Sequence, residues 1–168
     1  MQITSIKLFL PYYSKIRERT NNLIKVIPPE SFDFCYLPGK FTIADQIRHI
    51  AAMERYMFAE NVAGRKSAYQ GCGKELADGY ENIISLFKNL HDESLEIFNQ
   101  LTDDDLNRKC ITPGNTEMAV WKWLRAMVEH EIHHRGELYI YLNLLNIKTP
   151  PMFGLTSEEV RERSVTKI

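Results

Sequence analysis

Two histidines of this chain, His130 and His134, stand four residues apart in the stretch EHEIHHRGELYIYLNLL. In a helix this spacing places both imidazoles on one face, one turn apart, where they can point at a shared position. On a projection that advances by ~100° per residue, both interrupt an otherwise apolar and aromatic stripe that runs from Val120 to Leu145. Burying two neutral imidazoles costs free energy, which a shared metal ion offsets. The pattern therefore predicts a metal site.

A third ligand should come from another helix, and two histidines outside this cluster are available. His49 lies in DQIRHIAAMERYMF and shares its helix face with Met53 and Tyr56, so it is another histidine on an apolar face. His91 lies in KNLHDES, beside charged residues, and is expected to face solvent. We therefore expect His49 to complete a three-histidine site with an open ligand position, which is typical of catalytic metal centres.

The remaining residues of the run HEIHH (130–134) suggest a competing interpretation. This run matches His-Glu-x-x-His, the signature of zinc proteases in which the glutamate acts as general base. The substrate-binding strands that such proteases need are not found in the sequence. A suitable downstream ligand is also not found, because Glu137 is too close on the same helix. Glu131 is instead expected at the surface edge of the stripe, as a partner for a ligand imidazole or as an acid/base candidate. His133 falls about 60° to the other side of His130 and is expected near the surface.

Composition limits the classes of protein that need to be considered. The chain has 168 residues, of which 44% are hydrophobic and 26% charged, as is ordinary for one globular domain covering residues 1–168. Its net charge of −1 and the lack of a basic stripe argue against a nucleic-acid partner. No apolar run approaches the ~20 residues of a membrane span. The start of the chain does not resemble a secretion signal, and Cys35, Cys72 and Cys110 share no ligand spacing. We therefore expect a cytoplasmic protein without a membrane partner.

The elements that would position the histidines are helices throughout. Four long helices are predicted: from near Pro11 to Ile27, from a capping box at Thr42 and Asp45 to about Asn61, from Lys74 to Leu101, and from Thr116 to about Asn146. Residues 62–73 and 102–115 are predicted to be connections, and no strand pair is expected. A short terminal helix should follow a capping box at Thr156 and Glu159. The prediction is an all-α four-helix bundle with a short C-terminal helix.

These motifs resemble those of the DinB/YfiT-like superfamily along essentially the whole chain. The resemblance rests on DQIRHIAAMERY, on HEIHHRGELYIYLNLL followed by Pro150-Pro151, and on the preceding PGKFTIADQIRHIA. The run His134-Arg135-Gly136 is its most specific part. The resemblance implies an up-down-down-up four-helix bundle that is often a homodimer. It also implies that His49, His130 and His134 bind a divalent ion such as zinc or nickel.

The same resemblance implies relatives that act as thiol-dependent transferases, isomerases or hydrolases. We expect a metal-dependent enzyme that acts on a small-molecule electrophile, with either a low-molecular-weight thiol or a metal-activated water as the nucleophile. Tyr56, Trp123 and Tyr141 are candidates for lining the substrate cavity, although ordinary core packing is the alternative for each. A non-catalytic metal-binding homodimer of the stress response is a further alternative.

Overall fold

The computed structural model describes residues 2–165, which are organised around four long helices. Their bounds are Ile6–Ile24 (α1), Ile43–Met53 (α2), Tyr80–Phe98 (α3) and Val120–Leu144 (α4). A fifth helix, α5, spans Ser157–Val165 and is exposed along its length. The four-helix bundle predicted from the sequence is confirmed. Within residues 2–165, no helix combines the length and the apolar character that crossing a membrane requires.

Helix α2 does not stop at Met53. It continues through a π-helical stretch, Glu54–Ala59, which we call the π segment, and then through a last α-helical turn, Glu60–Val62. The predicted capping box starts the helix, since Thr42 Oγ1 accepts a hydrogen bond from the Asp45 amide at 3.0 Å and Asp45 Oδ2 accepts one from the Thr42 amide at 2.9 Å. A π-helical stretch inside an α-helix is often found near a functional site.

The start of α1 was predicted wrongly. The helix begins at Ile6, ahead of Pro11, which lies inside it. The reason is a cap from a distant part of the chain, because Asp103 Oδ1 accepts a hydrogen bond of 2.7 Å from the Ile6 amide. A helix start needs partners for its first free amide groups, and here one comes from a carboxylate that local sequence cannot identify.

The starts of the other two helices also differ from the predictions. Helix α3 begins at Tyr80 rather than at Lys74, because Gly79 has φ of +82° and cannot continue a right-handed helix. Helix α4 begins at Val120 rather than at Thr116. The residues before it form an antiparallel pair of strands, β1 (Lys109–Ile111) and β2 (Glu117–Ala119). The expectation of no strand pair was therefore wrong, since strands this short leave no clear alternation in the sequence.

At the other end of the chain, the predicted capping box before α5 is confirmed. The Thr156 amide donates to Glu159 Oε2 at 2.7 Å, and the Glu159 amide donates to Thr156 Oγ1 at 3.2 Å. This box begins a helix whose described residues bury no side chain, so α5 adds nothing to the core.

Two groups of buried side chains form the core of the bundle. One joins α1, the π segment and the first half of α4, with Phe9, Tyr13, Phe58, Leu124 and Met127 among its members. The other joins the end of α1, α2, α3 and the second half of α4, with Leu23, Ile47, Phe87, Leu138 and Leu142 among its members. Helix α2 packs against both α3 and α4, whereas α1 packs against α4. The facing sides of α2 and α4 are the ones that carry the three histidines.

Candidate metal centre

Three imidazoles meet where α2 faces α4. His49 Nε2 lies 3.1 Å from His130 Nε2. The ring centroid of His134 lies 4.6 Å from that of His49 and 4.5 Å from that of His130. One nitrogen from each ring lies within 4.8 Å of one nitrogen from each of the others. The structure thus brings together the three residues that the sequence predicted as metal ligands, while metal binding itself stays a prediction.

Two of these imidazoles use their second nitrogen for hydrogen bonds directed away from the cluster. His49 Nδ1 lies 3.0 Å from the Tyr69 hydroxyl. His134 Nδ1 lies 2.7 Å from Gln46 Oε1 and 2.8 Å from Glu137 Oε2. Because both of these oxygens are acceptors, they favour a proton on Nδ1 of His134 and leave the lone pair on its Nε2 free. Outer hydrogen bonds of this kind orient the ring of a metal-binding histidine.

The protonation states also suit metal binding. Burial lowers the pKa of His49 to about 4 and that of His130 to about 3, and charge repulsion from neighbouring imidazoles adds to the effect. Burial also lowers the pKa of His134, although its hydrogen bond to Glu137 opposes this change. At neutral pH the three rings are therefore uncharged, which is the form of histidine that binds a metal. Burial alone would raise the pKa of Glu137, but hydrogen bonds from Gln46 and His134 outweigh it and lower that pKa.

Aromatic rings surround the imidazoles. The Phe41 and Tyr69 rings lie 5.3 Å and 5.9 Å from the ring of His49, and the Phe58 ring lies 5.8 Å from that of His130. Phe41 is 40% exposed, whereas Phe58 is buried, so the cluster is sealed toward the core and approaches solvent on the Phe41 side. A partly buried site with apolar walls suits a small organic molecule.

Trp123 and Tyr56, which were predicted to line a substrate cavity, lie in different surroundings. The Trp123 ring packs against Phe58 with centroids 4.7 Å apart, which places it one contact away from His130. Its buried Nε1 has no hydrogen-bond partner within residues 2–165. The Tyr56 ring instead lies 5.7 Å from the Arg55 guanidinium.

Tyr141, the third predicted lining residue, is buried and is connected to the imidazoles through Phe41. Its hydroxyl donates a hydrogen bond of 2.9 Å to the Phe41 carbonyl, and Phe41 in turn lies beside His49. Tyr141 therefore positions an aromatic neighbour of the imidazoles. A role for it in substrate binding stays a prediction, as do those of Tyr56 and Trp123.

Glu131 does not occupy the position expected from the sequence. It is 2% exposed, and both of its oxygens contact α1 rather than the imidazoles. Thr20 Oγ1 donates to Glu131 Oε1 at 2.6 Å, Tyr13 Oη donates to Oε2 at 3.1 Å, and Arg17 Nη2 lies 3.1 Å from Oε2. The expectation of a residue at the surface edge was wrong, because α1 covers that side of α4. Both carboxylate oxygens are thus engaged away from the imidazoles, so Glu131 is not the partner of a ligand imidazole, and an acid/base role for it stays a prediction.

For the two remaining histidines, His91 and His133, the exposure predicted from the sequence was wrong in the first case and right in the second. His91 was expected to face solvent, but its side chain is only 13% exposed and its Nδ1 lies 2.8 Å from Oε1 of the buried Glu54. That expectation was wrong, because the partner comes from the π segment and not from the charged residues beside His91 in sequence. His133 was expected near the surface, and this is confirmed by a side chain that is 66% exposed.

Three partners of the imidazoles, Gln46, Tyr69 and Glu137, were not predicted. Gln46 precedes His49 by one helical turn and Glu137 follows His134 by one turn, so helical spacing carried a usable signal for both. Tyr69 lies in the connection after α2, where no periodic pattern predicts which way a side chain points.

Comparison with known proteins agrees with this architecture. A family model described as the DinB superfamily matches residues 12–138, a range that includes all three histidines. The uncharacterized protein YjoA of Bacillus subtilis (strain 168) is 23% identical over 140 residues, which cover 82% of this chain and 88% of that protein.

Solved structures show the same fold at low sequence identity. A DinB-like protein from Bacillus cereus ATCC 10987 has a TM-score of 0.75 and 18% identity, over 88% of this chain and 97% of its own. The structure of YjoA from Bacillus subtilis has a TM-score of 0.71 and 22% identity, over 86% of this chain and 97% of its own. TT2238, described as a four-helix bundle protein, has a TM-score of 0.62 and 20% identity, over 80% of this chain and 98% of its own. Since the family model matches most of the sequence, the chain belongs to the DinB superfamily.

Proposed function

We propose that this protein binds one divalent metal ion, zinc or nickel, through His49, His130 and His134. We further propose that the metal centre serves a thiol-dependent transfer or a hydrolysis on a small electrophile. The observation that carries the proposal is the convergence of three uncharged imidazoles from two helices, with Nδ1 of His134 committed to acceptors outside the cluster. Neutral imidazoles are good ligands for both metals.

The residues present fit such an ion. Three protein ligands leave at least one coordination position open, as in catalytic rather than structural zinc sites. A bound ion would supply a Lewis acid that lowers the pKa of a coordinated water or thiol.

Side chains around the imidazoles orient the rings and offer a hydrogen-bond donor. Gln46 and Glu137 hold the ring of His134 in one tautomer, and Tyr69 holds the ring of His49. The indole N–H of Trp123, which packs against Phe58, is buried without a partner within residues 2–165, so an oxygen atom of a bound substrate that reached it would satisfy it.

Metal analysis of purified protein tests the first part of the proposal. The wild type should hold about one divalent ion per chain, and His49→Ala, His130→Ala and His134→Ala should each lose most of it. His133→Ala removes an exposed imidazole of the same helix and should retain the metal, whereas a loss would point instead to the group of His133, His134 and Glu137, whose ligand atoms also lie within 4.8 Å of one another. Undiminished metal content in any of the first three variants removes that residue from the site.

Cobalt-substituted protein tests the second part. Adding cysteine or glutathione should change the visible absorption bands of cobalt if a thiol enters the open position. If neither thiol changes the bands, the transferase function is withdrawn and hydrolysis becomes the proposed reaction. Turnover is then assayed with a panel of activated esters and amides, and a lack of turnover leaves a metal-binding protein without catalysis.

A further inference from the structure

A second candidate site lies away from the imidazoles, in a cleft between the connection after α2 and the β1–β2 hairpin. Its volume is about 700 Å³, within the range of small-molecule pockets. One wall is formed by residues from Asn61 to Ser67 and the other by residues from Lys109 to Asn115. We call it the hairpin cleft.

The charged side chains that line the hairpin cleft are all basic, namely Arg65, Lys66 and Lys109. Arg65 pairs with Glu60, Glu60 also pairs with Arg55, and Arg55 pairs in turn with Glu93, so these four charges balance and the positive charge of the cleft comes from Lys66 and Lys109. Within residues 2–165, Lys66 and Lys109 form no ion pair. Because the chain as a whole carries a net charge of −1, the positive charge is a local property of the cleft. Such a concentration of one sign attracts anions.

Asn61 lines the same cleft and carries a buried acceptor without a partner within residues 2–165. The side chain is 1% exposed, and its Nδ2 donates a hydrogen bond of 3.1 Å to the Arg65 carbonyl. Because a carbonyl can only accept, this contact fixes the orientation of the amide. Its Oδ1 is buried and has no partner within residues 2–165. A buried acceptor without a donor is costly, so a ligand with an O–H or N–H group would stabilise it.

The segment that lines the cleft also reaches the imidazoles. The Tyr56 carbonyl in the π segment accepts hydrogen bonds from the Ala68 amide at 2.7 Å and from Ser67 Oγ at 3.2 Å, which fixes this part of the connection. Ser67 lines the cleft, and Tyr69 contacts His49. Ser67 and Tyr69 are two residues apart, so one short segment contacts both the hairpin cleft and the three-histidine cluster.

We propose that the hairpin cleft binds a small molecule that carries an oxyanion, either a carboxylate or a phosphate. Arg65, Lys66 and Lys109 bind the anionic group, and Asn61 Oδ1 accepts a hydrogen bond from a hydroxyl or amide group of the same molecule. This site goes beyond the proposed metal centre and does not depend on it, because none of its lining residues is one of the three histidines.

Calorimetric titration of metal-free protein tests the proposal, since an anion then cannot bind through a metal ion. Pyrophosphate and citrate are the two probes, and each should bind less tightly as the salt concentration rises. The double variant Lys66→Ala/Lys109→Ala should bind at least ~10-fold more weakly, because it removes two charged contacts. The control Lys15→Ala/Lys148→Ala removes the same charge from exposed positions outside the cleft and should stay within about twofold of wild type.

Each result decides between support and rejection. Binding of citrate alone identifies a carboxylate ligand, binding of pyrophosphate alone identifies a phosphate ligand, and either supports the site. No binding of either probe by the wild type at millimolar concentration overturns it. Equal losses in the two double variants also overturn it, because the effect would then follow net charge and not the cleft. Thermal melting of every variant confirms that the protein is folded, and a failed metal analysis leaves these outcomes unchanged.

Discussion

Glu137 Oε2 is a shared acceptor, since it lies 2.8 Å from Nδ1 of His134 and 2.7 Å from Nε2 of Gln46. At the scale of single residues, this oxygen links the two helices of the candidate metal centre: Gln46 belongs to α2, and His134 belongs to α4. Its ionised state strengthens both hydrogen bonds. The position of the imidazole therefore depends on a residue outside the three proposed ligands.

Replacing Glu137 should weaken metal binding without removing a ligand. We expect Glu137→Ala to bind zinc 10–100-fold less tightly (order of magnitude), because the His134 ring loses the carboxylate that orients it. Competition with a chelating dye measures the affinity. Glu129→Ala is the control, because that residue is exposed on the same helix and should leave the affinity unchanged. An unchanged affinity in Glu137→Ala would show that the hydrogen bond does not tune the site.

A carboxylate outside the metal centre should control stability in acid. Hydrogen bonds from Arg65 and Arg55 lower the pKa of Glu60 to about 2. Since this value lies below that of the unfolded chain, the carboxylate stabilises the fold above about pH 4.5, and the contribution disappears as the pH falls toward 2.

Glu60→Gln should therefore lower the free energy of unfolding by about 1 kcal/mol at pH 7. The difference from wild type should shrink between about pH 4.5 and pH 3. Urea denaturation at pH 7, 5 and 3.5 measures it, with Glu96→Gln as a control at an exposed position. A difference that does not change with pH would exclude the ion pairs as its cause.

How far the sequence predicts the site depends on which residues are considered. His49, His130 and His134 were predictable because each interrupts an apolar helix face, and helical spacing depends only on local sequence. The burial of Glu131 was not predictable, because a projection gives the direction of a side chain and not the helix that lies there. Tyr69 was missed since the conformation of an irregular connection follows no period.

At the scale of elements, buried charges tie α1 to the rest of the bundle. Arg17 of α1 contacts both Glu131 of α4 and Glu54 of the π segment, and all three are 2% exposed. Arg135 of α4 donates a hydrogen bond of 3.0 Å to the Ile16 carbonyl of α1. Apolar packing alone permits sliding between helices, whereas paired buried charges favour one register.

Removing one member of this network should destabilise the fold strongly. Glu131→Ala is expected to lower the free energy of unfolding by ~3–5 kcal/mol, because Arg17 loses a buried partner. Urea denaturation provides the measurement, and Glu129→Ala should cost less than about 0.5 kcal/mol as an exposed control on the same helix. A small loss in Glu131→Ala would mean that Glu54 alone is a sufficient partner for Arg17 and that the register has another origin.

The helix boundaries follow the same division between local and distant signals. The capping boxes that start α2 and α5 were predicted, because each is made by two residues one turn apart. The start of α1 was not predicted, because the residue that caps it, Asp103, lies 97 positions away in the sequence. The start of α4 was also not predicted, since the strand pairing before it is a tertiary contact.

At the scale of the whole molecule, apolar side chains remain exposed on two neighbouring helices. Leu8 of α1 is 74% exposed, and Ile140 and Leu144 of α4 are 60% and 57% exposed. Leu8 and Ile132 line one apolar depression between these two helices. We propose that a homodimer, which the family resemblance implies, covers these side chains.

We expect a dimer in sedimentation velocity experiments at micromolar concentration. Ile140→Lys should shift the protein toward the monomer, because two copies would bury the new charge at their interface. Val160→Lys makes the same change at an exposed position of α5 and should leave the dimer intact. A wild type that sediments as a monomer at all concentrations contradicts the expectation.

The π segment lies between residues of the two candidate sites, since His49 precedes it and Asn61 follows it on the same continuous helix. A π-helical stretch of this kind corresponds to one additional residue in a regular helix. Deleting one residue between Glu54 and Ala59 would turn everything after it by ~100° relative to everything before it. His49 would keep its place beside α4, whereas Asn61 would rotate away from the hairpin cleft. The presence or absence of that residue should therefore separate relatives that can hold both ligands from those that keep only the three-histidine site.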